Sequence, residues 1–176
     1  MFTKNWYILQ SLHMLADSKQ QLTDLKPLDW NGQNKIKYYP YNTSISIQAA
    51  LNSVKTNLAT YSSGVLFGTG DTPASLDDYK LAGDVIQNIT ASIHRTYSYS
   101  EAQPSLKAVY TITNNNETAI TIKEVALNRE FNYTSNGSST GCVIDRTVLD
   151  TPVTIPAGGV GQVEYTITFN LPTATA

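Results

Sequence analysis

Cysteine occurs once in the 176 residues, at Cys142, so no internal disulfide can form. Histidine is nearly as scarce: His13 and His94 stand alone, and no Cys/His spacing resembles a zinc site. Charged residues make up only 15% of the chain, the formal net charge is −2, and Lys and Arg are scattered singly. Nucleic-acid binding relies on clustered cations against phosphate, so this balance does not support it. No apolar run approaches the ~20 residues of a bilayer-crossing helix, and the start of the chain lacks a basic stretch, an apolar run and a cleavage site. The expectation is a soluble protein without a signal peptide, made in a cytoplasm, with no membrane partner and no cofactor.

Apolar residues reach 41%, enough for a core in a chain of single-domain size. The polarity comes from Thr, Ser and Asn, which suit strand surfaces and turns better than helix interiors. The chain opens on a helical pattern: Ile8, Leu12 and Leu15, with Leu9 and Ala16, recur on one side, and Trp6 and Tyr7 extend it. His13 lies beside that face and reads as structural. Residues 22–42 show no period and carry Pro27, Gly32 and Pro40 among Trp30, Tyr38, Tyr39 and Tyr41. They read as an ordered aromatic arm, whose rings either cover the domain's own core or dock on a neighbouring subunit.

From Thr43 the pattern changes to short β-like runs. Ser44-Ile45-Ser46-Ile47 alternates, and Val65-Leu66-Phe67 is a short buried run. Ile89, Ala91, Ile93, Arg95, Tyr97 and Tyr99 fall on one face of a strand, with His94 on the other. Leu106, Ala108, Tyr110 and Ile112 repeat the pattern until Asn114-Asn115-Asn116 ends it. Ile120 and Ile122 begin a further alternation, but Val125 and Leu127 continue in opposite phase, which predicts a bulge or strand end near Glu124. A strand from Val143 to Leu149 follows, and Val153 and Ile155 lead into the turn Pro156-Ala157-Gly158-Gly159. Val163, Tyr165, Ile167, Phe169 and Leu171 form the last strand. About seven strands and one leading helix predict a mainly β protein: an antiparallel two-sheet, immunoglobulin-like or Greek-key sandwich, with a closed barrel as the alternative. Residues 1–42 are then a docking appendage and 43–176 the sandwich domain.

Chemistry is sparse. Gly68-Thr69-Gly70-Asp71 through Asp77-Asp78-Tyr79 invites a nucleotide loop, but the third glycine and the phosphate lysine are missing. A calcium loop would draw on Asp71, Asp77 and Asp78, without the spacing or terminal Glu of an EF-hand. A tight turn in which Ser75 caps a helical turn and Asp78 takes the capping-box position explains more of these residues, with Tyr79 and Leu81 packed onto the sheet. No catalytic triad can be assembled. Glu124, Arg129 and Glu130 read as a surface charge cluster. The expectation is no enzyme and no catalytic, cofactor or metal residues.

Val65-Leu66-Phe67-Gly68-Thr69-Gly70-Asp71-Thr72-Pro73, followed by Leu76-Asp77-Asp78-Tyr79-Lys80-Leu81, resembles a segment of structural proteins of tailed bacteriophages. Tyr110–Asn114, Ile122–Leu127, Asp145–Leu149 and Val153–Gly158 are similar to the same group. The resemblance implies a virion component assembled in a bacterial host's cytoplasm, with no catalytic residues to carry over. Its partners would be capsid or other virion structural proteins and copies of itself. A decoration or auxiliary protein on the head is the first expectation; the neck, tail and baseplate are the alternatives. The interface candidates are Trp6, Trp30, Tyr38, Tyr39, Tyr41, Asp71, Asp78 and Tyr79. A reading from another class is a carbohydrate- or receptor-binding module stacking sugars on Tyr97, Tyr99, Trp30 or Tyr133.

Overall fold

The computed structural model describes residues 1–7, 28–29, 31–33, 51, 53–56, 63–98, 105–132 and 139–168. The expected helix over residues 8–16, the strand at 44–47 and most of the arm at 22–42, with Trp30, Tyr38, Tyr39 and Tyr41, lie outside the described residues, as do His13, Tyr99, Tyr133, Phe169 and Leu171. The chain is mainly β, with two predominantly antiparallel sheets and one short N-terminal helix at residues 4–7, consistent with a β-sandwich. Seven strands follow in order: β1 (Val54–Lys55), β2 (Gly64–Gly68), β3 (Ile89–Ser98), β4 (Ser105–Asn114), β5 (Ile120–Asn132), β6 (Ser139–Ile155) and β7 (Val160–Thr168). One sheet has the order β1-β2-β5-β6 and the other β3-β4-β7. The β1–β2 pair is a two-residue parallel contact; β2–β5, β3–β4 and β4–β7 are antiparallel.

The chain forms two compact units, Met1–Gln87 with Thr121–Pro152, and Asn88–Ile120 with Val153–Ala176. The described residues 1–7, 28–29 and 31–33 fall in the first of these units.

The second unit shows one-sided burial. Leu106, Ala108, Tyr110 and Ile112 of β4 are buried, as are Val163, Tyr165 and Ile167 of β7, while the residues between them are more exposed. Register places Tyr110 between Ile93 and Val163, and Leu106 between Tyr97 and Ile167, so the apolar side chains share a face. Each fully buried aliphatic side chain contributes about 1.5–3 kcal/mol. Asn114 closes one end of this sheet. Its buried Nδ2 donates to the carbonyls of Thr118 (2.9 Å), Ile155 (3.1 Å) and Pro156 (3.0 Å), and its Oδ1 accepts from Asn116 N (2.9 Å). The Pro156–Gly159 turn is present as read, with Gly159 N donating to Pro156 O at 2.9 Å.

In the first unit β2 is buried throughout, and β5 is buried on both faces from Glu124 to Asn128. β5 has no strand end near Glu124: it is continuous from Ile120 to Asn132, and its ladder to β2 is unbroken from Gly68↔Glu124 to Gly64↔Asn128. The change of phase in the sequence marks the passage from one-sided to two-sided burial, where alternation disappears because both faces must be apolar or internally satisfied. Leu66, Ala126, Val143 and Leu81 form an apolar cluster with Val85 packed against it. Leu81 and Val85 come from the stretch that follows the glycine-aspartate loop, so that loop covers part of the sheet.

Candidate functional site

The loop between β2 and β3 leaves and returns beside the end of β2. Thr69 N donates to Asp84 O (3.1 Å) and Ile86 N to Phe67 O (2.8 Å), while Gly68 bridges Val85. Within it the capped turn is formed: Asp78 Oδ2 accepts from Ser75 N (2.8 Å), and Ser75 Oγ accepts from Asp77 N (3.2 Å).

The loop is wrapped around a carboxylate. Glu124 is fully buried, and its Oε1 accepts from Gly70 N (2.9 Å) and Gly83 N (2.8 Å). Its Oε2 accepts from Ala82 N (3.0 Å) and Arg146 Nε (2.7 Å). These four bonds fill the lone-pair positions of a carboxylate. The glycines are required by proximity: a Cβ on Gly70 would collide with the Gly83 backbone nitrogen and with Glu124 Oε1, and a Cβ on Gly83 with the Gly70 nitrogen.

Arg146, 1% exposed on β6, extends the cluster. Its Nη1 donates to Asp78 Oδ2 (2.8 Å) and its Nη2 to Thr72 O (2.7 Å). Burial acts against the guanidinium charge, but the hydrogen bonds and charges of Asp78 and Glu124 outweigh it and hold the pKa above the ordinary arginine value. The surface reading of Glu124 is therefore corrected: it is an internal ligand of the loop and of Arg146. Neither partner was among the candidate residues. The phase change at Glu124 was the signal available, because it marks where a polar residue enters a doubly buried stretch.

The same arginine joins the N-terminal residues to the loop. Arg146 N donates to Met1 O (3.1 Å), Thr3 N to Ile144 O (3.0 Å), and Thr3 Oγ1 to Val143 O (2.8 Å), so residues 1–3 run along β6. Lys4 N donates to Leu76 O (2.6 Å), and the Asn5 side chain exchanges hydrogen bonds with Leu28 N (2.7 Å) and O (2.9 Å). Met1, Tyr7 and Leu76 are exposed large apolar side chains in these joined segments.

Of the interface candidates, Trp6 stacks on Phe2 with centroids 4.8 Å apart and is half-buried. Asp78 is committed to Arg146. Asp71 is exposed and pairs with Lys123 Nζ at 2.8 Å; that hydrogen bond holds its carboxyl below the usual carboxylate range. Tyr79 is half-buried against Gly32, with Lys80 Nζ 5.8 Å from its ring. Trp6, Asp78 and Tyr79 thus all belong to the first unit, with Asp78 bound to Arg146. Trp30, Tyr38, Tyr39 and Tyr41 lie outside the described residues. Of the aromatics in the sugar-stacking reading, Tyr97 is described and is 56% exposed.

Asp71, Asp77 and Asp78 do not converge: among the described residues no group of three or more His, Cys, Asp or Glu side chains is placed to hold a metal ion. Cys142 is fully buried, and burial pushes its thiol well above the usual range. No described helix is long and apolar enough to cross a membrane.

No protein-family model matches the chain, and no curated protein does. Among solved structures, a Northeast Structural Genomics Consortium target determined by X-ray crystallography is similar at 17% identity and a TM-score of 0.33. The match covers 48% of this chain and 64% of that one. A likeness at that level carries no argument about fold or function.

Proposed function

We propose that this chain is a non-enzymatic structural protein of a tailed-phage particle, a head decoration or auxiliary protein that binds capsid subunits and copies of itself. The observation that carries the reading is the internal saturation of the buried Glu124–Arg146 cluster. All four acceptor positions of Glu124 and the Nε, Nη1 and Nη2 groups of Arg146 are used inside the protein, so the cluster holds a loop in place. The loop so held belongs to the segment that resembles phage structural proteins, and it presents Leu76, 53% exposed, next to residues 1–7. A stiff surface with exposed apolar side chains suits docking, since little conformational entropy is lost on binding.

Leu76→Asp tests the surface. Its backbone contact with Lys4 is retained, so the variant is expected to keep the wild-type melting temperature and to disappear from purified particles. Particles carrying it at wild-type copy number would overturn the reading. Quantitative mass spectrometry of purified particles locates the protein: about one copy per capsid subunit supports the head, and a single ring's worth supports the neck, tail or baseplate instead.

A further inference from the structure

We infer that the outer edge of β3 is where two copies of this chain pair, antiparallel and centred on Ile93. This deepens the self-association part of the proposed function and rests on it. β3 is an edge strand of its sheet: among the described residues no strand is hydrogen-bonded to its far side. Its ladder to β4 runs without a break from Ile89↔Asn114 to Ser98↔Ser105, so no bulge twists the edge away. The strand contains no proline and no lysine. A ten-residue regular edge of this kind is a template for another strand. The covered face also stops short here: Tyr97 belongs to the row of Leu106 and Ile167, both buried, yet is itself 56% exposed.

The side chains select the partner. Directly opposite residues in an antiparallel pair share a face, so a two-fold pairing of β3 must set odd positions against odd. Centred on Ile93, the pairing puts Ile93 against Ile93, Ile89 against Tyr97 and Ala91 against Arg95 on one face. Ser92 then meets His94, and Thr90 meets Thr96, on the other. Every residue from Ile89 to Tyr97 gains a partner. β3 has no acidic side chain, and its inward-facing Arg95 is the one feature that guards the edge. In this register each Arg95 lies across the small Ala91 and away from its symmetry mate. Centring on Arg95 would oppose two guanidinium groups, and centring on His94 would oppose the imidazoles and set Ile93 against Arg95. The product is one continuous sheet of order β7-β4-β3-β3-β4-β7.

Ser92→Cys and His94→Cys, both at exposed positions, read the register directly. In the proposed pair they lie opposite each other, within about 5.5 Å between Cα atoms, whereas like residues are two rows apart and beyond the roughly 7 Å limit for a disulfide. The buried Cys142 does not compete. An oxidised equimolar mixture is expected to give a covalent dimer, and each variant alone none. Light scattering of the wild-type chain is expected to show its mass doubling with concentration. Ala91→Glu, which sets a carboxylate opposite Arg95 of the other copy, shifts the midpoint to lower concentration; Ala91→Lys shifts it higher. A monomeric mass at every concentration, or a covalent dimer from either variant alone, overturns the inference. Those results leave the particle assignment standing, because that is decided by mass spectrometry of particles.

Discussion

Glu124 shows what a buried charge demands of its surroundings. A carboxylate with no exposed surface persists only when its lone pairs are filled and its charge is matched, and here three amides and one guanidinium do both. Glu124→Gln keeps one acceptor but turns the other into a donor. With Oε1 still accepting from Gly70 and Gly83, the new Nε2 amide faces the N–H groups of Ala82 and Arg146. Removing one member of a buried pair costs about 3–5 kcal/mol, and the urea midpoint is expected to fall accordingly. Arg146→Lys is expected to be comparably damaging, because an ammonium cannot serve Glu124, Asp78 and Thr72 O together. Asp71→Asn should leave the midpoint unchanged: its side chain is 73% exposed and its partner Lys123 is solvated. Equal losses for Glu124→Gln and Asp71→Asn would show that the buried cluster is not what holds the loop.

The loop of residues 69–85 is the element these contacts specify. Gly70→Ala places a methyl group against backbone, which cannot rotate aside as a side chain can, and against Glu124. A destabilisation of about 1–3 kcal/mol is expected, with faster hydrogen exchange at the amides of Gly70, Ala82 and Gly83 than at those of β4. Gly158→Ala separates crowding from backbone strain. That glycine has φ +67° and open space around it, so the cost is the strain of the left-handed conformation alone, about 1–2 kcal/mol. The strands were legible wherever burial is one-sided: Leu106 to Ile112 and Val163 to Ile167 alternate because one face is covered. In β5 the change of phase at Glu124 does not end the strand, because two-sided burial erases the period. The capped turn at Ser75–Asp78 was legible because its partners are three residues apart, whereas Arg146 lies 22 residues from Glu124 and 68 from Asp78. Local chemistry can be read from spacing; a contact made by strand order requires the topology first.

At the scale of the whole molecule, two buried acids give stability a pH dependence on the alkaline side. Burial raises the thiol of Cys142 and the phenol of Tyr110 above their usual ranges, the latter against a smaller opposing effect of Arg95. In the unfolded chain these groups ionise near pH 8.5 and 10, whereas the folded protein keeps both protons. The folded state therefore binds more protons than the unfolded state above those values, and stability must fall as pH rises. The contribution is whole below about pH 8.5; the thiol's share declines from there and the phenol's from about pH 10. Each group lowers stability by at most about 1.4 kcal/mol per pH unit. Urea midpoints are expected to drop between about pH 7 and pH 10, Cys142→Ala to flatten the first part of the decline and Tyr110→Phe the later part. Alkylation supplies an independent reading of the same burial: Cys142 is expected to resist iodoacetamide at about pH 8.5 in the native protein and to react once urea unfolds it. A native thiol that reacts at the unfolded rate, or a Cys142→Ala variant with the wild-type pH slope, would remove the thiol from this account and leave the phenol as its sole source.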